Sequence, residues 1–262
     1  MLIIGELING MYKAVAHAIE GRDAELIHHL AEDQVRAGAA ALDVNTGPYS
    51  KNPGDDMKWL VETIRKKSNI MLSIDSSRTD VIEEGLKLAG ARSIINSTTA
   101  DDEKMDKVFG LAKQYKARVI GLAMDKTGVP NSKDGRLELA ARLISGAQKA
   151  AFPAKDLILD PIAMPVNVAQ AQVPVVIDAI REIRLLSDPA PMTLIGLSNV
   201  SQGARKRGLI NRTYIAMALA AGLDSAIIDP LDKDLIDSII TSELLLNKNI
   251  YCESYLEAYR RK

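Results

Sequence analysis

Residues Ile70–Leu88 read IMLSIDSSRTDVIEEGLKL, and this stretch decides the fold. An apolar, β-branched run, Ile70–Ile74, ends at Asp75 and Ser76, and a segment with helical spacing, Thr79–Leu88, follows. A short apolar run between polar boundaries predicts a strand buried on both faces, as in a parallel sheet. The same unit recurs in both directions. Runs at Leu2–Gly5, Ala40–Val44, Arg92–Ile95, Arg118–Leu122, Leu157–Leu159, Thr193–Leu197 and Ser225–Ile228 predict seven further strands. Helical spacing between them predicts helices from Asp23 to Gly38 and over about Asp55–Lys67, Glu103–Tyr115, Gly135–Ala151, Pro174–Leu186, Asn211–Ala221 and Lys233–Leu246.

Strands that alternate with helices require right-handed crossovers and a parallel sheet. Eight such units in 262 residues have the size of a closed barrel. The expected fold is therefore α/β, a single (β/α)8 TIM barrel, with residues 1–262 as one domain. A doubly wound open sheet would show a glycine-rich first turn. Here that segment, read as the first turn, is Gly5-Glu-Leu-Ile-Asn-Gly10, without the G-x-G-x-x-G spacing.

Composition narrows the function. Lys plus Arg is 33 and Asp plus Glu is 34, a net charge of −1, so no global field draws the chain to nucleic acid or anionic lipid. Two Phe, one Trp and seven Tyr are too few for a base-stacking surface. The single Cys252 excludes an internal disulfide and any multi-cysteine metal centre, and no metal site is expected. No apolar run approaches the roughly 20 residues of a membrane span, and no secretory leader opens the chain. A cytoplasmic protein is expected.

In this fold the active site gathers at the C-terminal ends of the strands. The residues there are Glu6 and Asn9, Asp43 and Asn45, Asp75 and Ser76, Asn96 and Ser97, Asp125 and Lys126, Asp160, Ser198 and Asn199, and Asp229. Any one of them could cap a helix or open a turn. A polar residue at nearly every strand end exceeds what capping requires. Carboxylates and carboxamides suit a flat heterocycle with an amino-pyrimidinone edge, from which a carboxylate accepts two parallel N–H bonds. A sugar phosphate would call for a cation-assisted cradle after the last strands, and Gly196–Gly203 holds no cation.

Asp75, Asn96, Asp160 and Asn199, with the strings INST (Ile95–Thr98), LDP (Leu159–Pro161) and GLSNVSQ (Gly196–Gln202), resemble the pterin-binding methyltransferases. Among these the chain is most similar to the methyltetrahydrofolate:corrinoid/iron–sulfur protein methyltransferases, from LIIGE at its start to Asn211–Thr213 and Tyr251-Cys252 near its end. The resemblance implies that Asp75, Asn96 and Asp160 hydrogen-bond the pterin and that Asn199 approaches the methyl-bearing nitrogen. It implies that Gly196, Ser198 and Gln202 line the same wall and that Arg207 meets the benzoyl-glutamate tail. Asn199 and Asp75 are the expected catalytic residues. The methyl donor would be 5-methyltetrahydrofolate, and the acceptor cobalt(I) in a corrinoid carried by a separate, transiently bound corrinoid iron–sulfur protein. A homodimer is implied by the same likeness.

Dihydropteroate synthases are similar too, but this chain has Ser198-Asn199 and Asp160-Pro-Ile-Ala-Met where they carry a basic string and a glycine-rich loop. The folate module of methionine synthase remains a further likeness. Other readings stay open: a folate-dependent methyltransferase of another corrinoid demethylation system, a non-catalytic pterin-binding module, and an isomerase or aldolase, the last using Lys126. No residue offers itself as an acid for the pterin nitrogen, since His17, His28 and His29 fall in the first helical region. The His28–His29 pair reads as a solvated helix surface. Asn cannot donate a proton at neutral pH, so activation is expected from a hydrogen-bond network at Asn199, with the proton drawn from solvent.

Overall fold

The computed structural model describes residues 1–91 and 93–249, so Arg92, Tyr251 and Cys252 lie outside the described residues. Eight parallel strands close into a barrel in chain order: β1 (Leu2–Asn9), β2 (Ala41–Asn45), β3 (Met71–Asp75), β4 (Ile94–Thr98), β5 (Arg118–Leu122), β6 (Leu157–Asp160), β7 (Met192–Gly196) and β8 (Ser225–Ile228). β8 pairs with β1 and completes the circle. Around it run α1 (Lys13–Gly21), α2 (Ala24–Arg36), α3 (Pro53–Arg65), α4 (Thr79–Ala89), α5 (Asp102–Tyr115), α6 (Lys133–Lys149), α7 (Val166–Ala169), α8 (Gln172–Ile183), α9 (Arg207–Ala220) and α10 (Lys233–Leu245). The (β/α)8 barrel expected from the alternation is the observed fold.

Two boundaries differ for physical reasons. Gly5–Gly10 is not a turn; β1 continues to Asn9, and its register against β2 shifts between Gly5 and Ile8. Gln34, fully buried on α2, fills that irregularity, and its Oε1 accepts the Leu7 N–H at 3.0 Å. A Cβ at position 5 would lie 2.3 Å from the same oxygen, so only glycine fits. The first helix is also separate from the second. Val15, Ala18 and Ile19 give α1 a buried face at helical spacing. The chain then breaks at Arg22, which is left-handed, and Asp23 caps α2 by accepting from the Glu25 and Leu26 N–H groups. His17 therefore belongs to α1, not to the helix of His28 and His29.

The period-two alternation of the strands decides what the barrel holds. Ile4, Ala41, Ile94, Ile120, Ile158 and Leu194 form one buried cluster with Leu2, Met71, Leu122, Met192 and Ile227 packed on it. These are the inward positions, and together they plug the barrel. Two residues further along the same faces stand Glu6, Asp43, Asn96, Asp160 and Gly196, and two beyond Asp43 comes Asn45. Met71, Ser73 and Asp75 follow the same rule on β3. The polar ring sits on an apolar floor.

Candidate active site at the barrel mouth

On one side of the mouth the polar groups belong to the strands themselves. Asn45, Asp75 and Asn96 are register partners across β2, β3 and β4, so the three residues share one level. Asn45 Nδ2 donates to Asp75 Oδ2 at 2.6 Å, and Asn96 Nδ2 donates to Asp43 Oδ1 at 3.0 Å. Burial pushes the Asp43 carboxyl well above the usual carboxylate range, and the charge of Asp75 pushes it further. Burial raises Asp75 as well, opposed by bonds from Asn45 and Asp43. The two carboxyls are coupled, and Asp43, the more deeply buried, carries the larger rise and so holds a proton more readily than Asp75. Asp75 stands at the mouth, where the Lys104 charge also favours its ionised form.

Asp160 closes the next stretch of wall. It is 7% exposed, and its Oδ1 accepts the Ile162 N–H at 2.6 Å. Burial pushes its pKa up to about 7, against the Ile162 N–H, the Arg136 charge and the Gly196 N–H.

The opposite arc is built after its strand rather than within it. β7 ends at Gly196 and passes into a 3₁₀ turn, Leu197–Asn199. Leu197 and Val200 anchor that turn in the core, whereas Asn199 is exposed. A Cβ at Gly196 would lie 3.0 Å from Asn199 Nδ2, so the carboxamide folds back over the glycine. Ser198 Oγ donates across the mouth to Glu6 Oε1 at 2.7 Å, joining β7 to β1. Burial raises the Glu6 pKa, the Ser198 bond lowers it, and Asp229 adds to the rise. Asp229, after β8, is itself raised by burial.

Arg207 and Gln202 are exposed at the rim. The Arg207 guanidinium is tied to this turn, with Nε donating to Ser201 Oγ at 3.2 Å and Nη2 to the Ser198 carbonyl at 3.4 Å. Asp75, Asn96, Asp160, Gly196, Ser198 and Asn199 thus all stand at the mouth of one barrel, and Gln202 and Arg207 on its rim. Five acidic side chains with raised pKa values, Glu6, Asp43, Asp75, Asp160 and Asp229, stand around the opening.

Several strand-end residues do other work. Asp125 closes a surface turn by accepting from Thr127, and Lys126 beside it is exposed, so Lys126 is not the desolvated lysine that Schiff-base chemistry needs. Ser76 accepts the Arg78 N–H, and Asn9 accepts the Met11 N–H. His28 is not simply solvated; its Nε2 lies 2.9 Å from the Thr63 carbonyl of α3. Sequence reading placed Asp43 and Glu6 at strand ends without a role. The signal was the strand parity that puts Asp43 behind Asn45 and Glu6 after Ile4.

The chain matches the family model of the pterin binding enzymes over residues 13–229. It belongs to the pterin-binding enzyme family. The family and fold expected from the motifs are both borne out. Among curated relatives, this pterin-binding enzyme is 28% identical to a methylcorrinoid:tetrahydrofolate methyltransferase of Eubacterium limosum, over 100% of this chain and 97% of that protein. It is 30% identical to the methionine synthase of Mycobacterium leprae over 87% of this chain, which spans only 20% of that protein. Among solved structures, a dihydropteroate synthase of Coxiella burnetii in complex with pteroic acid superposes with a TM-score of 0.69 at 16% identity, covering 95% of this chain and 94% of that one. A Yersinia pestis dihydropteroate synthase gives the same TM-score, with 94% of each chain covered. Those two likenesses carry the fold alone. Among the described residues no helix is long and apolar enough to cross a membrane.

Proposed function

We propose that this pterin-binding enzyme transfers a methyl group between N5 of tetrahydrofolate and the cobalt of a corrinoid held by a separate protein, the whole chain 1–262 acting as one barrel domain. The observation that carries this reading is the ring of buried acceptors above the apolar floor, with Asn199 standing free on the far side. Full-length likeness to the E. limosum methyltransferase supports it.

Asp75, held ionised by protonated Asp43, and Asp160 accept N–H groups from the amino-pyrimidinone edge, and Asn96 meets the mixed donor and acceptor atoms beside it. The ring so fixed presents N5 to the Asn199 carboxamide. A neutral tertiary amine leaves badly, so N5 must be protonated or hydrogen-bonded as the carbon–nitrogen bond breaks. Asn199 stabilises that proton, which arrives from solvent through the open mouth, and the Ser198–Glu6 bond fixes the turn that carries it. The partner's corrinoid supplies the cobalt that accepts or gives the methyl group.

Met11, Tyr12, Tyr49 and Leu231 on loops and Val168 on α7 stand exposed around this mouth, and such an apolar rim suits transient cover by a corrinoid. Arg207, fixed to the turn, is placed for the acidic benzoyl-glutamate tail. A corrinoid iron–sulfur protein as partner, a cytoplasmic location and a homodimeric state complete the reading.

The test is spectroscopic. Methyltetrahydrofolate added with the protein to cob(I)alamin is expected to raise the absorption of methylcobalamin, and tetrahydrofolate with methylcobalamin to reverse it. Calorimetric binding of folate without either change would make the chain a non-catalytic pterin-binding module instead.

A further inference from the structure

The largest fully buried side chain among the described residues is Arg136, a charged one. It leaves the first turns of α6 and runs beneath the mouth. Its Nε donates to the Pro161 carbonyl at 2.7 Å, its Nη1 to the Pro130 carbonyl, and its Nη2 to Gln172 Oε1 at 2.8 Å. All three acceptors are neutral. A buried guanidinium without a bonded carboxylate is costly, so its charge calls for an explanation. The ionisable groups that feel it are Asp160 on β6 and Tyr214 on α9, whose hydroxyl is buried without a hydrogen-bond partner.

Pro161 is the residue that follows Asp160. Ile162, next in the chain, has φ of +65°, a left-handed conformation that is an outlier for a β-branched residue. That conformation turns the Ile162 N–H back onto Asp160 Oδ1 at 2.6 Å. The strained Asp160–Pro161–Ile162 turn is therefore gripped at its carbonyl by Arg136 and at its amide by the carboxylate it shapes. We infer that Arg136 is a positioning residue for Asp160: it clamps the turn that aims the carboxylate and supplies the buried positive charge that favours its ionised, accepting form. The charges and dipoles facing Asp160 are Arg136, Tyr214 and the Ile162 and Gly196 N–H groups. Arg136 is the only cation among them.

This inference rests on the reading of Asp160 as a pterin acceptor, and the two can fail separately. In the ligand-free protein, the ¹³C carboxyl titration of Asp160 is expected to move up by about one pH unit or more in Arg136→Met and Arg136→Gln, and to stay within half a unit in Arg136→Lys. Arg136→Gln keeps a donor toward Pro161, so it carries the test if Arg136→Met does not fold. Calorimetric titration with methyltetrahydrofolate from pH 6 to 9 is then expected to show about tenfold weaker binding by the Met and Gln variants at pH 7, recovering toward pH 9. Asp160→Asn should bind weakly at every pH. An unmoved carboxyl titration, or a loss of affinity equal at all pH values, overturns the role of Arg136. Wild-type binding by Asp160→Asn overturns the reading beneath it.

Discussion

The β2–β3–β4 wall of the mouth and the β7 turn facing it carry the same kinds of side chain under opposite constraints. On the wall, Asp43, Asn45, Asp75 and Asn96 are fixed by strand register and by one another's hydrogen bonds. On the turn, Asn199 is exposed and rests over a glycine, and the Ser198–Glu6 bond ties the arc across the mouth. A wall whose donors and acceptors are already paired can select one flat edge and hold it. A free carboxamide can follow a nitrogen whose charge changes as the methyl group leaves. Under the proposed function binding and chemistry are divided between the two sides, and substitutions on each should fail differently.

The largest effect is expected at the turn. On the proposed reading Asn199→Ala removes the donor nearest the reacting nitrogen, and loss of one such preorganised group costs about 10²–10³ in rate. Single-turnover methyl transfer should fall by that order, with a smaller loss of folate affinity. Wild-type transfer kinetics would put the division of labour on other residues.

Next comes the wall. Asp75→Asn replaces an ionised acceptor, and a lost charge-assisted bond of about 1.5–3 kcal/mol corresponds to roughly 10- to 100-fold in Kd. Titration should show that weakening while the bound-state rate changes little. Unchanged affinity with a collapsed rate would make Asp75 a general acid and reverse the comparison.

Asp160 sharpens the contrast between function and stability. Its native pKa of about 7 lies above the unfolded carboxyl value near 3.8, so the folded state favours the neutral form. The stability this contributes is complete below the unfolded pKa and lost as pH rises through about 7. The loss is on the order of 4 kcal/mol at most for a shift of about three units. Asp160→Asn should therefore raise the denaturant midpoint at pH 8 relative to wild type, and gain little at pH 4, while weakening folate binding. In wild type, affinity should fall as pH drops below about 7, because protonated Asp160 gives up an acceptor site.

The two sides were not equally legible in the sequence. Asp75, Asn96 and Asp160 end apolar runs, and Ser198-Asn199 follows one, so period and polarity were enough to place them at the mouth. Those apolar runs closed one to three residues early on β2, β3, β4 and β6, because the ladder continues through the polar residues that face the mouth. What stayed hidden depends on neighbours far apart in the chain. Asp43 is one more polar residue in a strand until Asp75 and Asn96 stand beside it. Glu6 and Ser198 are 192 positions apart. Arg136, in a helical segment, gave no sign that it would be buried whole.

The smallest effect tests whether the turn needs its freedom. Gly196 has φ of −78°, which any residue adopts, so alanine there brings no backbone strain. Its Cβ would stand 3.0 Å from Asn199 Nδ2, the far end of a side chain that can give way. Gly196→Ala should leave the unfolding free energy within about 1 kcal/mol of wild type, as for a substitution that forms no cavity and breaks no buried bond. Folate affinity, set by the opposite wall, should stay close to wild type. Methyl transfer should slow severalfold, because displacing a catalytic group by a few tenths of an ångström weakens a bond that matters only as charge develops. Equal losses of affinity and rate would mean that the turn grips the ring as tightly as the wall does, and the two sides of the mouth would then work as one.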